Sequence, residues 1–115
     1  MKISISERFG RAAVDYDDGQ LLLEEARPEI AAGKTVELDF EGVTIYASPF
    51  FNGSVAVLVR EFSSQDLRAL LKLEHLTPDG RRVARRSIDN AATRDESEKE
   101  SQRLLAEILS DEGKR

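Results

Sequence analysis

Ser48 is followed at once by Pro49, and the pair carries chemistry because of where it would stand. A serine at a helix N-cap, with proline at the first helical position, turns its hydroxyl toward the free N–H groups of the first turn. Those donors and the helix dipole make an anion site, and a phosphate esterified to the serine would place about −1.5 to −2 charges over it. Ser48 therefore reads in two ways, as a cap alone or as a switch that alters a docking surface. The second feature is Arg81-Arg82-Val83-Ala84-Arg85-Arg86. Arginines at i, i+1, i+4 and i+5 form one basic stripe on a helix, suited to phosphate, nucleic acid or an acidic protein surface. The plainer alternative is a solvated helix face that pairs with Asp79, Asp89 or the C-terminal segment. Asp39 closes one strand and His75 follows another, the edge where α/β proteins place functional groups. Asp39 also reads as an acceptor for backbone N–H groups of the loop that leads to Ser48.

Asp39, His75 and Ser48 do not amount to a hydrolase triad, since no nucleophile elbow or oxyanion loop accompanies them. The glycines form no dinucleotide fingerprint and no phosphate-binding loop. There is no cysteine, hence no disulfide and no thiolate metal site. With one histidine, a zinc or iron centre would draw most of its ligands from carboxylates. Asp15, Asp17 and Asp18 lack the further ligands of a calcium loop and read as a turn and a helix start. The expectation is a non-enzyme with no cofactor and no metal. A formal net charge of −5 argues against nucleic acid as the main partner. The charge is uneven, however: residues 1–59 hold the acidic excess, while 60–88 carry more basic than acidic side chains. A phosphate on Ser48 would then add to the acidic half. No apolar run approaches the roughly 18 residues of a membrane span. Apolar residues and serines alternate in MKISISERFG, unlike a secretory signal, so the expected location is cytoplasmic and off the membrane.

A chain of 115 residues, 40% of them hydrophobic, makes one small domain with its own core. Ile3 and Ile5 alternate with polar neighbours and predict a strand over 2–6; Ala12, Val14 and Tyr16 predict a second after a turn at Gly10. Asp17-Asp18-Gly19 starts a helix whose apolar face is Leu22, Ala26 and Ile30, closed by Gly33 and broken near 24–28 by Pro28. Val36, Leu38 and Phe40 point one way and Glu37, Asp39 and Glu41 the other, the clearest strand in the chain. Phe50 to Phe62 reads as one buried helix, with Phe51, Val55, Leu58 and Phe62 on one face. A short helix within 63–70, a strand over 71–76 and a helix from Thr77-Pro78 to about Ala92 follow. Alternating strands and helices imply parallel pairing with helical crossovers, hence an α/β sheet of about four mostly parallel strands and an extra C-terminal helix.

The stretch Val36 to Phe51 resembles the centre of a STAS domain, the module shared by sulphate transporters and bacterial anti-sigma factor antagonists. Asp39, Gly42 and Val43 match the family's strand ending, and Ser48 falls on the serine that a cognate kinase phosphorylates in that family. The chain is most similar to the STAS-like bacterial proteins, in which an Asp-Phe-x-Gly-Val strand precedes a serine and an aromatic-containing helix. Ala47 stands where the family has aspartate, and Pro49-Phe50 replace its small Ser-Gly. The resemblance covers residues 1–92 and leaves 93–115 as a C-terminal helical extension. It implies a protein-interaction module whose partner is an anti-sigma factor or a histidine-kinase-type ATPase. Docking would centre on Asp39, Tyr46, Ser48, Phe50, Asn52 and Gly53. Independently, Leu104, Leu105, Ile108 and Leu109 give the extension an apolar edge, and the polar stretch Thr93–Ser101 would let residues 101–112 pair with a second copy. Packing back on its own domain is the alternative for that edge.

Overall fold

Parallel pairing of short apolar strands organises the computed structural model, which describes residues 1–92, 104 and 106–109. β1 (Lys2–Ser4), β3 (Val36–Asp39) and β5 (Leu71–Glu74) form a three-stranded parallel sheet with β3 in the middle. Leu38 of β3 aligns with Ile3 and with Leu73, so one face of the sheet is a row of fully buried aliphatic side chains. β2 (Ala12–Ala13) and β4 (Ile45–Tyr46) make a separate two-stranded parallel pair. The chain is thus α/β with a small, parallel sheet, as expected, but the strands divide three and two. Gly42, at φ +90°, turns the chain off the line of β3, so Ile45–Tyr46 pair with β2 instead of prolonging the first sheet.

Each crossover is helical. α1 (Ile5–Phe9) overturns the expectation of a strand to residue 6: Ser4 Oγ accepts the Glu7 N–H at 3.3 Å and starts a helical turn in which Ile5 is buried. α2 (Tyr16–Ala31) runs unbroken past Pro28. Pro28 is exposed in the last turn, where only one intrahelical bond is lost to its missing N–H. Gly33, at φ +81°, ends α2 as expected: Lys34 N–H bonds to the Glu29 carbonyl and Gly33 N–H to that of Ile30, both at 2.9 Å.

The single helix expected over 50–62 is two, α3 (Ser48–Asn52) and α4 (Val55–Glu61). At the break, the Ser54 hydroxyl donates to the Phe50 carbonyl at 2.8 Å and the Gln20 amide donates to that of Gly53 at 2.8 Å. α5 (Ser64–Leu70) begins at Ser63, whose Oγ accepts the Asp66 N–H at 3.1 Å. Ser63→Ala is expected to cost about 1 kcal/mol, read as a lower urea midpoint at unchanged slope. α6 (Pro78–Ala92) starts as predicted, with Thr77 Oγ1 accepting the Gly80 N–H at 3.0 Å.

Five rings close the core around β3. Phe40 lies 5.7 Å from Phe51, 6.2 Å from Tyr46 and 6.4 Å from Phe50, centroid to centroid, and Phe9 meets Phe50 edge-on at 5.8 Å. Toward the C-terminus, Leu104 and residues 106–108 are helical, and Leu104, Ile108 and Leu109 are buried. Arg81 donates to the Leu109 carbonyl at 2.9 Å and Lys72 to that of Glu107 at 3.4 Å. Of the two readings of the apolar edge, packing on its own domain describes Leu104, Ile108 and Leu109; Leu105, the spacer 93–101 and the rest of 101–112 lie outside the described residues. No helix among the described residues is long and apolar enough to cross a membrane.

Candidate functional site

Two polar constellations form where the crossovers leave the sheet. The first gathers at the C-terminal ends of β3 and β5, which run side by side with Asp39 opposite Glu74. One residue on, His75 adopts φ +65°, which for a non-glycine residue needs compensation. Its Nδ1 lies 2.8 Å from Asp39 Oδ1, and Lys2 Nζ lies 3.8 Å from Oδ2. The same Oδ1 accepts the Glu41 N–H at 3.0 Å. This is the loop-bracing role that the sequence offered as one reading of Asp39.

Burial by itself would raise the Asp39 pKa. The hydrogen bonds from the Glu41 N–H and His75, with the charges of His75 and Lys2, outweigh it and hold the carboxyl below its ordinary value. The hydrogen bond to Asp39, aided by its charge and by Glu41 and Glu74, raises the His75 pKa above the usual value against a small opposing effect of burial. The two shifts set a window. A raised histidine contributes stability that is full below about 6.5 and lost as pH rises through its folded pKa. A lowered carboxylate contributes above about 3.9 and loses it as pH falls through its folded pKa. The pair thus stabilises most between those values. Because His75 is the sole histidine, its ring signals can be followed by NMR without ambiguity. The expected titration midpoint lies above that of a model peptide, and Asp39→Asn is expected to return it toward 6.5 or below.

Asp39, Glu41 and His75 also bring one ligand atom each within 4.8 Å of one another, a donor set that a divalent cation accepts. Within it, His75 bonds to the Asp39 carboxylate and Glu41 joins through its backbone N–H.

The second constellation is a cleft of about 470 Å³ lined by Ser48, Arg82, Val83, Arg85, Arg86 and Asp89. The two features read from the sequence as separate sites share this cleft. Ser48 is half-buried at its wall and occupies the first residue of α3, with Ala47 at the cap position and no side-chain cap bond. The expected capping role is thus displaced by one residue, and the five-residue α3 is too short to carry much of a dipole. Asp39 lines a different depression, with Lys2, Ser4, Ser6, Glu7 and Glu41, so the structure unites Asp39 with His75 and leaves Ser48 with the arginines.

The basic stripe divides as well. Arg81 is half-buried and bonded to the C-terminal segment, whereas Arg82, Arg85 and Arg86 are exposed along the cleft. Arg82 is steadied by Asp79, three residues earlier on the helix. Among the described residues, neither Arg85 nor Arg86 has an ion-pair partner.

Three of the residues expected to meet a partner are interior. Phe50 is fully buried among the rings. Tyr46 is buried with its hydroxyl donated to the Val43 carbonyl at 2.9 Å, and its ring fills the space left by the missing side chain of Gly80. Gly53 is buried beneath Tyr16. Aromatic rings at this spacing serve the core, where they pack on one another beside Phe40. Asn52 is exposed, yet its Oδ1 accepts the Ser87 hydroxyl of α6, a link that sequence reasoning missed. The available signal was the run of small residues Gly80, Ala84, Ser87 and Ala91 on one face of α6, all buried, which lets α3 come close.

A family model described as a STAS-like domain of unknown function (DUF4325) matches residues 18–81. The match takes in Asp39, Ser48 and His75 and stops before Arg82. No curated protein and no solved structure matches the chain.

Proposed function

The chain belongs to this STAS-like family, and on that premise we propose that it is a non-enzymatic regulatory module that works by binding another protein, in the manner of an anti-sigma factor antagonist. Ser48 is its control point, and the surface that docks is the rim of the Ser48 cleft with the exposed side of α6. The observation that supports this is the position of Ser48, half-buried beside Arg82, Arg85 and Arg86. A phosphate there would not enlarge an acidic surface, as the charge distribution along the chain led us to expect. It would sit against guanidinium groups and remove their positive charge from the rim. An acidic partner surface would bind the unmodified chain and be released by the phosphorylated one.

The partner class is an anti-sigma factor or a histidine-kinase-type ATPase, met in a bacterial cytoplasm. The test is affinity capture from the native host, with intact-mass measurement of the bait, for the wild-type chain, Ser48→Ala and Ser48→Asp. The expected result is a partner held by Ser48→Ala and by the unmodified fraction of wild type, lost from Ser48→Asp, with the mass of one phosphoryl group found only on a partner-free fraction of wild type. A partner held equally by all three would overturn Ser48 as the control point.

A further inference from the structure

We propose that the Ser48 cleft is also a binding site for a small phosphate monoester, with Arg82, Arg85 and Arg86 as the phosphate-reading groups and the Ser48 hydroxyl as an added donor. This goes beyond the reading of Ser48 as a control point: it requires neither modification of the serine nor a protein partner.

The helix spacing supplies the first argument. Arg85 and Arg86 follow Arg82 by three and four residues, so the three guanidinium groups rise from one turn of α6 on the side that lines the cleft. Like charges at that spacing repel one another and destabilise a helix, and Asp79 and Asp89 on the same helix set only two negative charges against the three guanidinium groups. Asp79 steadies Arg82, but the forks of Arg85 and Arg86 have no ion-pair partner among the described residues. A guanidinium fork matches two oxygens of a phosphate, and several forks converging on one group suit a dianion better than a single carboxylate.

Size and lining supply the second. A volume of about 470 Å³ is that of a small-molecule site and leaves room beyond the phosphate for an attached body. Val83 and the arginine stems offer that body an apolar wall. Asp89, one turn beyond Arg85 and Arg86, adds a negative charge to the same wall and repels a second phosphate. The lining therefore favours a monoester over a continuous polyanion such as nucleic acid. The net acidity of the chain acts in the same direction.

The test titrates the full chain at low salt with adenosine 5′-monophosphate, inorganic phosphate, adenosine and a short single-stranded oligonucleotide, read by calorimetry and by thermal shift. Saturable binding of the monophosphate and a raised melting temperature are expected, with weaker binding of phosphate and none of adenosine. The double variant Arg85→Gln with Arg86→Gln is expected to bind the monophosphate at least about tenfold more weakly. Its folding is checked by circular dichroism, and the double variant Arg11→Gln with Arg60→Gln, at two exposed arginines outside the cleft, serves as a charge-matched control that keeps full affinity. Ser48→Asp, which sets a carboxylate in the cleft, is expected to weaken binding by a similar factor, and Ser48→Ala by less. Absence of saturable binding, equal affinity in the double variant, or binding of the oligonucleotide in place of the monophosphate would each overturn the proposal. The outcomes are separable from those of the partner experiment. A chain never phosphorylated on Ser48 that still binds the monophosphate retains this site and loses the switch. A phosphorylated, partner-releasing chain that ignores the monophosphate does the reverse.

Discussion

Phe40→Ala is expected to lower the stability of the chain by about 3–5 kcal/mol, the usual cost of emptying a buried aromatic position. Set against a total of roughly 5–15 kcal/mol for a domain, that loss removes between about a fifth of the stability and all of it. The effect is large because Phe40 is fully buried and touches three other rings, Tyr46, Phe50 and Phe51. It also stands directly after Asp39, and its N–H donates to the Glu74 carbonyl at 2.8 Å. Collapse of the ring site would therefore disturb the Asp39–His75 pair as well. Urea unfolding followed by circular dichroism measures the loss, and Phe40→Leu, which refills most of the volume, is expected to recover more than half of it. A Phe40→Ala chain as stable as wild type would mean that the ring cluster is not the core. Phe50→Ala is expected to behave similarly, since Phe50 has no exposed surface. A partner lost on that substitution would report unfolding, not a missing contact.

Gly19→Ala carries the second large effect, about 2–3 kcal/mol, or a fall in melting temperature on the order of 10 °C. A Cβ built on Gly19 would lie 2.2 Å from the Phe50 carbonyl oxygen and 3.1 Å from its carbon. Backbone cannot turn away as a side chain can, so α2 and α3 would have to separate. In isolation the substitution favours a helix, by up to about 1 kcal/mol. Destabilisation would thus show tertiary contact overriding local propensity. Gly33→Ala is the comparison. Gly33 has open space around it and a φ of +81°, so its cost is the left-handed strain alone, about 1 kcal/mol. If Gly19→Ala instead raised the melting temperature, the close approach of α2 and α3 would be refuted.

Gly19 illustrates what kind of information the chain carries openly. Beside Asp17 and Asp18 it reads as a turn and helix start, and composition over a few residues cannot reveal that another helix crosses there. Its actual place is the fourth residue of α2. The same limit explains the break at Gly53 and Ser54. Apolar residues stand on both sides of Asn52-Gly53-Ser54, and the helix divides there with a bond from distant Gln20 to the Gly53 carbonyl beside the local one from Ser54 to that of Phe50. Ile5 is the local counterexample. Its alternation with Ile3 suits a strand, but Ser4 caps a helical turn, and a cap acts over three residues, where periodicity needs more.

What the amino-acid sequence determined by itself is everything that rests on short-range patterning. The alternation of Val36, Leu38 and Phe40 specified the central strand, and Thr77-Pro78 specified the start of α6. The order of elements specified parallel pairing, and the Asp39 to Ser48 stretch pointed to the STAS-like family to which the chain belongs. What only the tertiary structure decided is which of the chemically able residues meet. Ser48 and the arginines of α6 share one cleft across more than thirty residues of chain, Asp39 pairs with His75 across 36, and Tyr46, Phe50 and Gly53 turn inward. The reason is physical. A helix or strand declares its apolar face through its own period, whereas the partner of that face is chosen by shape. Here small residues on α6 admit α3, and a glycine on α2 admits the Phe50 carbonyl. A face of small residues can be read from a sequence, but the surface that will fit against it carries no matching period.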